Sequence, residues 1–335
     1  MNYIESSKNY TGSELEAIFF RPMLSGASAT ELGIRVLYNM PVPTTIQLWS
    51  GNTNILKSNA TNGWSSPANT TKVQKTIDMK RVKAEMGFSA ADYYSLVFES
   101  LALEAEVNLD DLTGTELEKV ETEIFRRSIA EAIRATMWVG DTSRDGGLYD
   151  TFDGLVKRLE DAITEDTITP ITYETSDFAS SDYALTLFDE LWSGASEELK
   201  DMKGEGNLVY FVTSDIYNLY EKALDEAGVD ASYTDQVNGR QGLSYHGIPV
   251  VDMRIGSYLS TLSMDMGVSF GFLTDRRNLV MAVNTADFPG TEIRMWYNPD
   301  EMENRQRAIF AAGCEIIDES LVSLAMWTAT VVSGS

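Results

Sequence analysis

The clearest hydrophobic pattern in the chain runs from Leu117 to Met137. Leu117, Val120, Ile124, Phe125, Ile129, Ala132, Ile133 and Met137 fall largely at intervals of three and four, the period of one buried helix face. Thr115 and Glu118 form a T-x-x-E capping box ahead of it, and Gly140 is placed to end it as a C′ glycine. The spacing predicts a helix over 115–139, about 36 Å long at about 1.5 Å per residue. An earlier helix is predicted from a Ser89 cap through Glu106, with Asp92 in its first turn. Residues 181–200 read as one acidic amphipathic helix with Tyr183, Leu187, Phe188, Leu191 and Trp192 along its apolar face. "NLVYFVTS" is a continuous apolar run, hence a buried strand, and Ser214 is placed to cap a helix ending at Gly228.

Other stretches alternate at the strand period. "IRVLYNMPVPTTIQLW" is rich in β-branched residues, and Pro41 and Pro43 suggest an edge strand. "KVQKTIDMKRVKAEMGFS" reads as its return. Between them "SGNTNILKSNATNGWSSPANTT" is a turn-rich tip, so the three make an extended hairpin whose loop is too long to be idle. "GLSYHGIPVVDM" predicts a turn and a strand. The end of the chain is β-rich: "VSFGFLTD", "NLVMAVN", "TEIRMWYNP" and "RAIFAAGCEIID", with the charged loop "DEMENRQ" between the last two. Residues 1–31, with a short helix candidate at Leu15, Ile18 and Phe19, read as an arm. The element order predicts an α+β fold that is not doubly wound.

Composition narrows the function classes. The 335 residues are 43% apolar with six Trp, fifteen Tyr and thirteen Phe, enough to build a substantial core. No run of 18 apolar residues exists to span a membrane, and the start lacks the pattern of a signal peptide, so folding in the cytoplasm is expected. A net charge of -25 disfavours nonspecific binding to DNA or anionic membranes. The acids are not evenly spread: none occurs from Leu32 to Ile77, a span of 46 residues. Residues 41–83 carry Lys57, Lys72, Lys75, Lys80, Arg81 and Lys83 against Asp78 alone, a balance of +5 that leaves -30 on the rest. A basic limb on an acidic body suits docking on a neighbouring acidic copy, with Trp49, Ile55 or Trp64 buried at the contact. Turn chemistry alone also favours Asn, Ser and Thr in such a tip. On the docking reading, reversing Lys72, Lys75, Lys80 and Lys83 to Glu blocks assembly and leaves the subunit folded.

Candidate chemistry is sparse. His246 is the only imidazole and no G-x-S-x-G occurs, so a nucleophile–His–acid triad has little to build on. Asp110 and Asp111 precede a predicted helix start, where negative charge is favourable without catalysis. Asp141 and Asp145 lack the EF-hand spacing, and "DGGLYDTFDG" lacks the Lys-Ser/Thr of a phosphate-binding loop. Cys314 excludes an internal disulfide by being alone, and reads as a small core residue. Asn9, Asn59 and Asn69 begin sequons without a secretory signal. No enzyme activity, cofactor or metal is expected.

"EAIRATMWVGD" followed by "DGL", then "NLVYFVTSDIYNLYEKALDEAG" and "GLSYHGIPVVDM", then "TEIRMWYNP" and "RQRAIFAAGCEIIDESLVSLAM", resembles in order and spacing the major capsid proteins of tailed phages with the Hong Kong 97-type fold. The resemblance covers roughly residues 35–326. It implies an N-terminal arm (1–34), an extended loop (35–84), a peripheral domain (85–150 and 276–320, with spine helix 115–139) and an axial domain (151–275, with 321–335 a candidate addition). It implies a shell of hexamers and pentamers enclosing double-stranded DNA without reading its sequence, assembled in the host bacterial cytoplasm. Scaffolding, portal and decoration proteins are the partners it implies. No scaffolding domain is visible in the chain, and no glutamate is placed by sequence for the Lys–Asn crosslinking some members carry out. The loop 298–307, "NPDEMENRQR", would lie near threefold contacts, making Asn298, Glu301, Arg305 and Arg307 contact candidates beside Trp49, Lys57, Trp64, Lys72, Lys75, Lys80, Arg81 and Lys83. An encapsulin-like nanocompartment is the alternative within the fold, and a soluble α+β enzyme or ligand-binding domain the alternative outside it.

Overall fold

The computed structural model describes residues 28–42, 44–50, 71–89, 116–144, 147–174, 182–226, 242–260, 262, 269–285 and 294–328. In chain order, β1 (Arg35–Leu37), β2 (Thr44–Ser50), β3 (Thr71–Ile77) and β4 (Lys80–Ser89) precede the long helix α1 (Glu116–Val139). Then come α2 (Leu155–Thr164), β5 (Ile171–Glu174), α3 (Asp182–Ser193), α4 (Glu197–Asp201), β6 (Leu208–Val212) and α5 (Ser214–Glu226). The remainder is β7 (Leu243–Tyr245), β8 (Ile248–Asp252), α6 (Gly256–Leu259), β9 (Phe270–Asp275), β10 (Leu279–Val283), β11 (Arg294–Asn298), β12 (Glu303–Ile316) and β13 (Val322–Thr328). The class is α+β, as the sequence predicts.

Two sheets share one core. The six-stranded sheet has the order β5-β13-β9-β6-β8-β7, and the other is built on β12. Glu303–Arg307 of β12 pair with β4 on one edge and β11 on the other, and Leu279–Val283 of β10 take over beyond Ala312. β1 adds in parallel to β10. Helix α1 packs between the sheets: Phe125, Ile129, Ile133 and Met137 meet Phe310 and Cys314 of β12 and Phe211 and Phe272 of the larger sheet in one apolar cluster. β6 is buried at every position because the sheet's other face is covered too, by Leu187, Phe188 and Leu191 of α3 and Ile216 and Tyr220 of α5.

Several elements differ from their sequence-based expectations for identifiable reasons. The strand expected over 34–49 is two: β1 joins β10, whereas β2 pairs with β3. The returning strand likewise breaks at Asp78 and Met79, and β4 belongs to the β12 sheet. Only β2 and β3, paired from Thr44↔Ile77 to Ser50↔Thr71, form the hairpin. Ser89 is the last residue of β4, and the helix expected after it lies outside the described residues. The helix expected over 181–200 divides because Ser196 caps a second one, its side chain accepting from the Leu199 amide. Ser214 is the first residue of α5 rather than its cap, and its hydroxyl donates to Asp252 (2.8 Å). β7 and β8 make a hairpin around His246 and Gly247, whose positive φ values (51° and 81°) suit a two-residue type I′ turn. The loop "DEMENRQ" shrinks to residues 299–302, since Glu303 already begins β12.

Gly140 ends α1 through close approach, not through a left-handed φ. Its amide donates to Thr136 O (2.9 Å), and the Gly154 amide donates to Gly140 O (2.9 Å), clamping the start of α2 against the end of α1. A Cβ on Gly154 would lie 2.5 Å from Thr136 O and 2.7 Å from Trp138 O, both backbone atoms. Gly154→Ala is therefore expected to cost about 1–3 kcal/mol through overpacking, read as a lower calorimetric midpoint.

Candidate assembly interface

The acid-free hairpin is fixed to the body at its root. Ile77, Met79 and Ile46 pack with Val280, Ala282 and Ala311 on the outer face of the smaller sheet. Backbone lies directly on that sheet: a Cβ on Gly313 would meet Asp78 O at 2.7 Å. Beside this apolar anchor, Lys75 Nζ contacts Glu319 Oε1 (2.5 Å) and Glu315 Oε1 (3.5 Å). Glu315 is buried and also faces Arg158 Nε (3.5 Å), which Asp153 and Asp161 approach from the other side. Burial pushes the Glu315 carboxyl above its ordinary value, while Arg158 and Lys75 pull the other way. Burial also acts to raise Glu319, but the hydrogen bond from Lys75 carries it below the ordinary range.

Among the described residues, nothing covers the outer face past the root. Alternation along β12 sends Asn304, Gln306, Ala308 and Phe310 inward, and Glu303, Arg305, Arg307 and Ile309 outward. Register sets Arg305 between Gly87 and Trp296, and Arg307 between Glu85 and Arg294. With Arg81 and Lys83 on β4, the face carries five cations against Glu85 and Glu303, a balance of +3 on a chain of -25. Gly87, without a side chain, leaves a hollow of about 330 Å³ walled by Trp296, Arg305 and Arg307. Trp296 is 41% exposed and Ile309 52%.

The ion pairs on this face are local. Lys83 donates to Glu85 (2.8 Å), which holds that carboxyl below its ordinary value, and Arg307 Nε lies 3.5 Å from Glu85. Arg305 pairs with Glu301 and with Glu303 (3.4 Å). Lys80 pairs with Asp78 (2.6 Å), and Asn298 Oδ1 accepts from the Asp300 amide (3.3 Å).

The contact candidates thus divide. Arg81, Lys83, Arg305 and Arg307 share one sheet face, with Asn298 at the end of β11 and Glu301 in the adjoining turn. Lys75 is engaged by its own subunit. Lys57 and Trp64 lie outside the described residues, as do the side chains of Trp49 and Lys72. Sequence reasoning did not single out Arg294, Trp296 and Ile309. The signal was present in "RMWYN" and "ENRQRAI", where every second residue from Arg294 and from Glu303 shares a face. Glu315 was likewise missed, because an acid within "AAGCEII" gives no hint of a lysine 240 positions earlier.

Of the residues weighed for chemistry, Asp110, Asp111 and Asp145 lie outside the described residues, and the others have structural surroundings. Burial works against the Asp141 charge, but hydrogen bonds from the Ser143 hydroxyl (2.6 Å) and amide (2.9 Å) bring its pKa below the ordinary range. Burial pushes the Cys314 thiol up, away from nucleophilic chemistry. His246 stacks on Tyr245 (4.3 Å between centroids) in an exposed turn. A cleft of about 450 Å³ between β4 and α1 is mostly apolar, with Met86, Ile129, Ile133 and Phe310 among its walls. Among the described residues, no helix is long and apolar enough to cross a membrane.

No protein-family model matches the sequence, and no curated protein does. Solved structures match over nearly the whole chain. The capsid of a native GTA particle aligns with a TM-score of 0.55 at 14% identity, covering 92% of this chain and 93% of that one. The chain has the fold of phage capsid proteins. The capsid of Myoviridae phage XM1 aligns at 0.54 and 13% identity over 96% of both chains. The mature capsid of bacteriophage PhiM1 aligns at 0.51 and 11% identity, over 93% of this chain and 91% of that one. At these identities the capsid fold is shared through element order and packing.

Proposed function

We propose that the chain is the major capsid protein of a tailed bacteriophage, of the Hong Kong 97-type fold, tiling itself into an icosahedral shell around a double-stranded DNA genome. The observation that carries this reading is the coverage of the capsid likeness, above 90% of both chains at TM-scores of 0.51–0.55. The work of a subunit with this fold is contact with its copies.

The sheets support a division of labour. That β5–β9 and β13 share one sheet supports an axial domain over 151–275 with 321–335, and that β4 and β10–β12 share the other supports a peripheral domain with α1 as its spine helix. The pairing of β2 with β3 supports a reaching loop within the span 35–84, with β1 and β4 tying its flanks to the β12 sheet. On this reading residues 1–34 are the N-terminal arm, of which 28–34 are described. The proposed contact set is Trp49, Lys57, Trp64 and Lys72 on the loop, with Lys80, Arg81, Lys83, Asn298, Glu301, Arg305 and Arg307 on the peripheral sheet. Lys75 fixes the loop's root. Partners are further copies in hexamers and pentamers, and scaffolding, portal and decoration proteins, with assembly in the host cytoplasm.

Purified full-length protein is expected to form closed shells, or hexamer and pentamer rings, by electron microscopy. Nucleic acid inside particles recovered from a phage infection marks a virion, and an enzyme cargo marks a nanocompartment. A chain that stays monomeric across salt, pH and concentration contradicts both.

A further inference from the structure

The open face of the peripheral sheet combines residue types typical of protein interfaces, arginines around an exposed tryptophan, with Lys83, Glu85 and Glu303. Arginine, tryptophan and methionine are enriched at interface cores, where lysine and acids are depleted. Here Arg294, Arg305 and Arg307 surround an exposed Trp296, and Met302, 60% exposed, stands at the adjoining turn. The Gly87 hollow beside Trp296 offers a recess for an inserted side chain. The same sheet is covered farther along, where the hairpin root packs on Val280, Ala282 and Ala311. One half of the face is therefore closed within the subunit and the other left open.

We propose that this open half docks the acidic surface of a second copy of the chain, with Trp296 as its apolar anchor and Arg305 and Arg307 as its charged clamp. The argument for the occupant is charge complementarity. The face carries +3, and the chain outside it carries -28. Residues 182–226, which include the helical layer α3–α5, hold eleven acids against three lysines. A neighbouring copy thus presents the sign this face lacks, and such pairing steers encounter and fixes register. Duplex DNA fits less well. Glu85 and Glu303 interleave with the arginines where phosphates would sit, and a backbone-binding surface has no use for exposed Trp296 and Ile309. The proposal rests on the shell reading and specifies one of its contacts.

The test uses the full chain as wild type, as Arg305→Glu/Arg307→Glu, as Arg305→Lys/Arg307→Lys and as Trp296→Ala. Assembly is followed by light scattering and electron microscopy, folding by circular dichroism, and DNA binding by anisotropy of a labelled 30-base-pair duplex. The glutamate pair is expected to stay folded and to associate at least tenfold more weakly. The lysine pair, keeping charge but losing the planar fork, is expected to fall between it and wild type. Trp296→Ala breaks no ion pair, so its expected tenfold loss reads the contact even if the glutamate pair misfolds. If wild type forms shells and both the glutamate pair and Trp296→Ala match it, the docking proposal is overturned and the shell reading stands. If those variants assemble normally but lose duplex binding that wild type shows, the face holds DNA and the proposal is likewise overturned. A wild type that never assembles removes the shell reading and this contact with it.

Discussion

Trp138→Ala is expected to lower the stability of the subunit by about 3–5 kcal/mol, among the largest losses available to a single substitution in this chain. Trp138 is fully buried near the end of α1. Its ring meets Phe211 of β6 edge-on at 5.5 Å between centroids and lies 6.5 Å from Phe272 of β9. Truncation would leave a void where α1 meets the six-stranded sheet, and backbone clamped by Gly140 and Gly154 cannot readily collapse into it. The check is the urea midpoint: it should fall with an unchanged slope, since the surface exposed on unfolding is nearly the same. Trp138→Phe should cost much less. It keeps an aromatic face toward Phe211 and removes an indole N–H that has no hydrogen-bond partner among the described residues. Near-equal losses for the two variants would show that the aromatic contacts are not what joins helix to sheet.

Trp138 also marks how far the sequence could be read. The three- and four-residue spacing gives α1 to within one residue, and the stripe Phe125, Ile129, Ile133 and Met137 is the buried one. Yet from Ile133 to Val139 every residue is buried, because this end of the helix lies between two sheets. Ala132, counted in the stripe, is exposed. Periodicity describes a helix with one wet side and fails where both sides are dry. Strand runs such as "NLVYFV" were legible as buried, but their pairing was not. β6 lies between β9 and β8, partners over thirty positions away, and no local pattern encodes that choice.

The candidate interface was legible in its sign and not in its layout. Acid depletion marks the hairpin, and Arg305 and Arg307 stand out in sequence only as basic residues of a charged loop. Only register showed that Arg81 and Lys83 of the depleted segment share a face with those arginines. Lys75 is the opposite case: by sequence it belongs with its neighbours on the limb, but the fold aims it at acids of its own body. Alternation along β3 cannot distinguish a lysine facing a neighbouring copy from one facing Glu315 and Glu319.

Lys75→Glu is consequently expected to destabilise the subunit itself, by about 3 kcal/mol or more, rather than to act only on assembly. The substitution places a third carboxylate beside Glu319 and the buried Glu315, leaving Arg158 as the remaining cation against Glu315. The pH dependence identifies the cause. In the wild type, Glu319 has a lowered folded pKa, so it contributes stability above the ordinary glutamate value that is lost as pH falls. Glu315 has a raised folded pKa, so its contribution is full at low pH and lost as pH rises. The two offset each other around Lys75. In the variant all three carboxylates repel, every folded pKa shifts up, and the native state binds more protons than the unfolded one. Its stability must then rise as pH drops from 7.5 toward 5, narrowing the gap from wild type in urea midpoints measured at both. A gap independent of pH would mean that Lys75 is not held by those acids. For the same reason, reversing Lys72, Lys75, Lys80 and Lys83 together mixes a folding defect with a docking defect. Reversal of Lys72, Lys80 and Lys83 alone leaves the root clasped, so a loss of assembly in a subunit with an unchanged urea midpoint is read at the surface between copies.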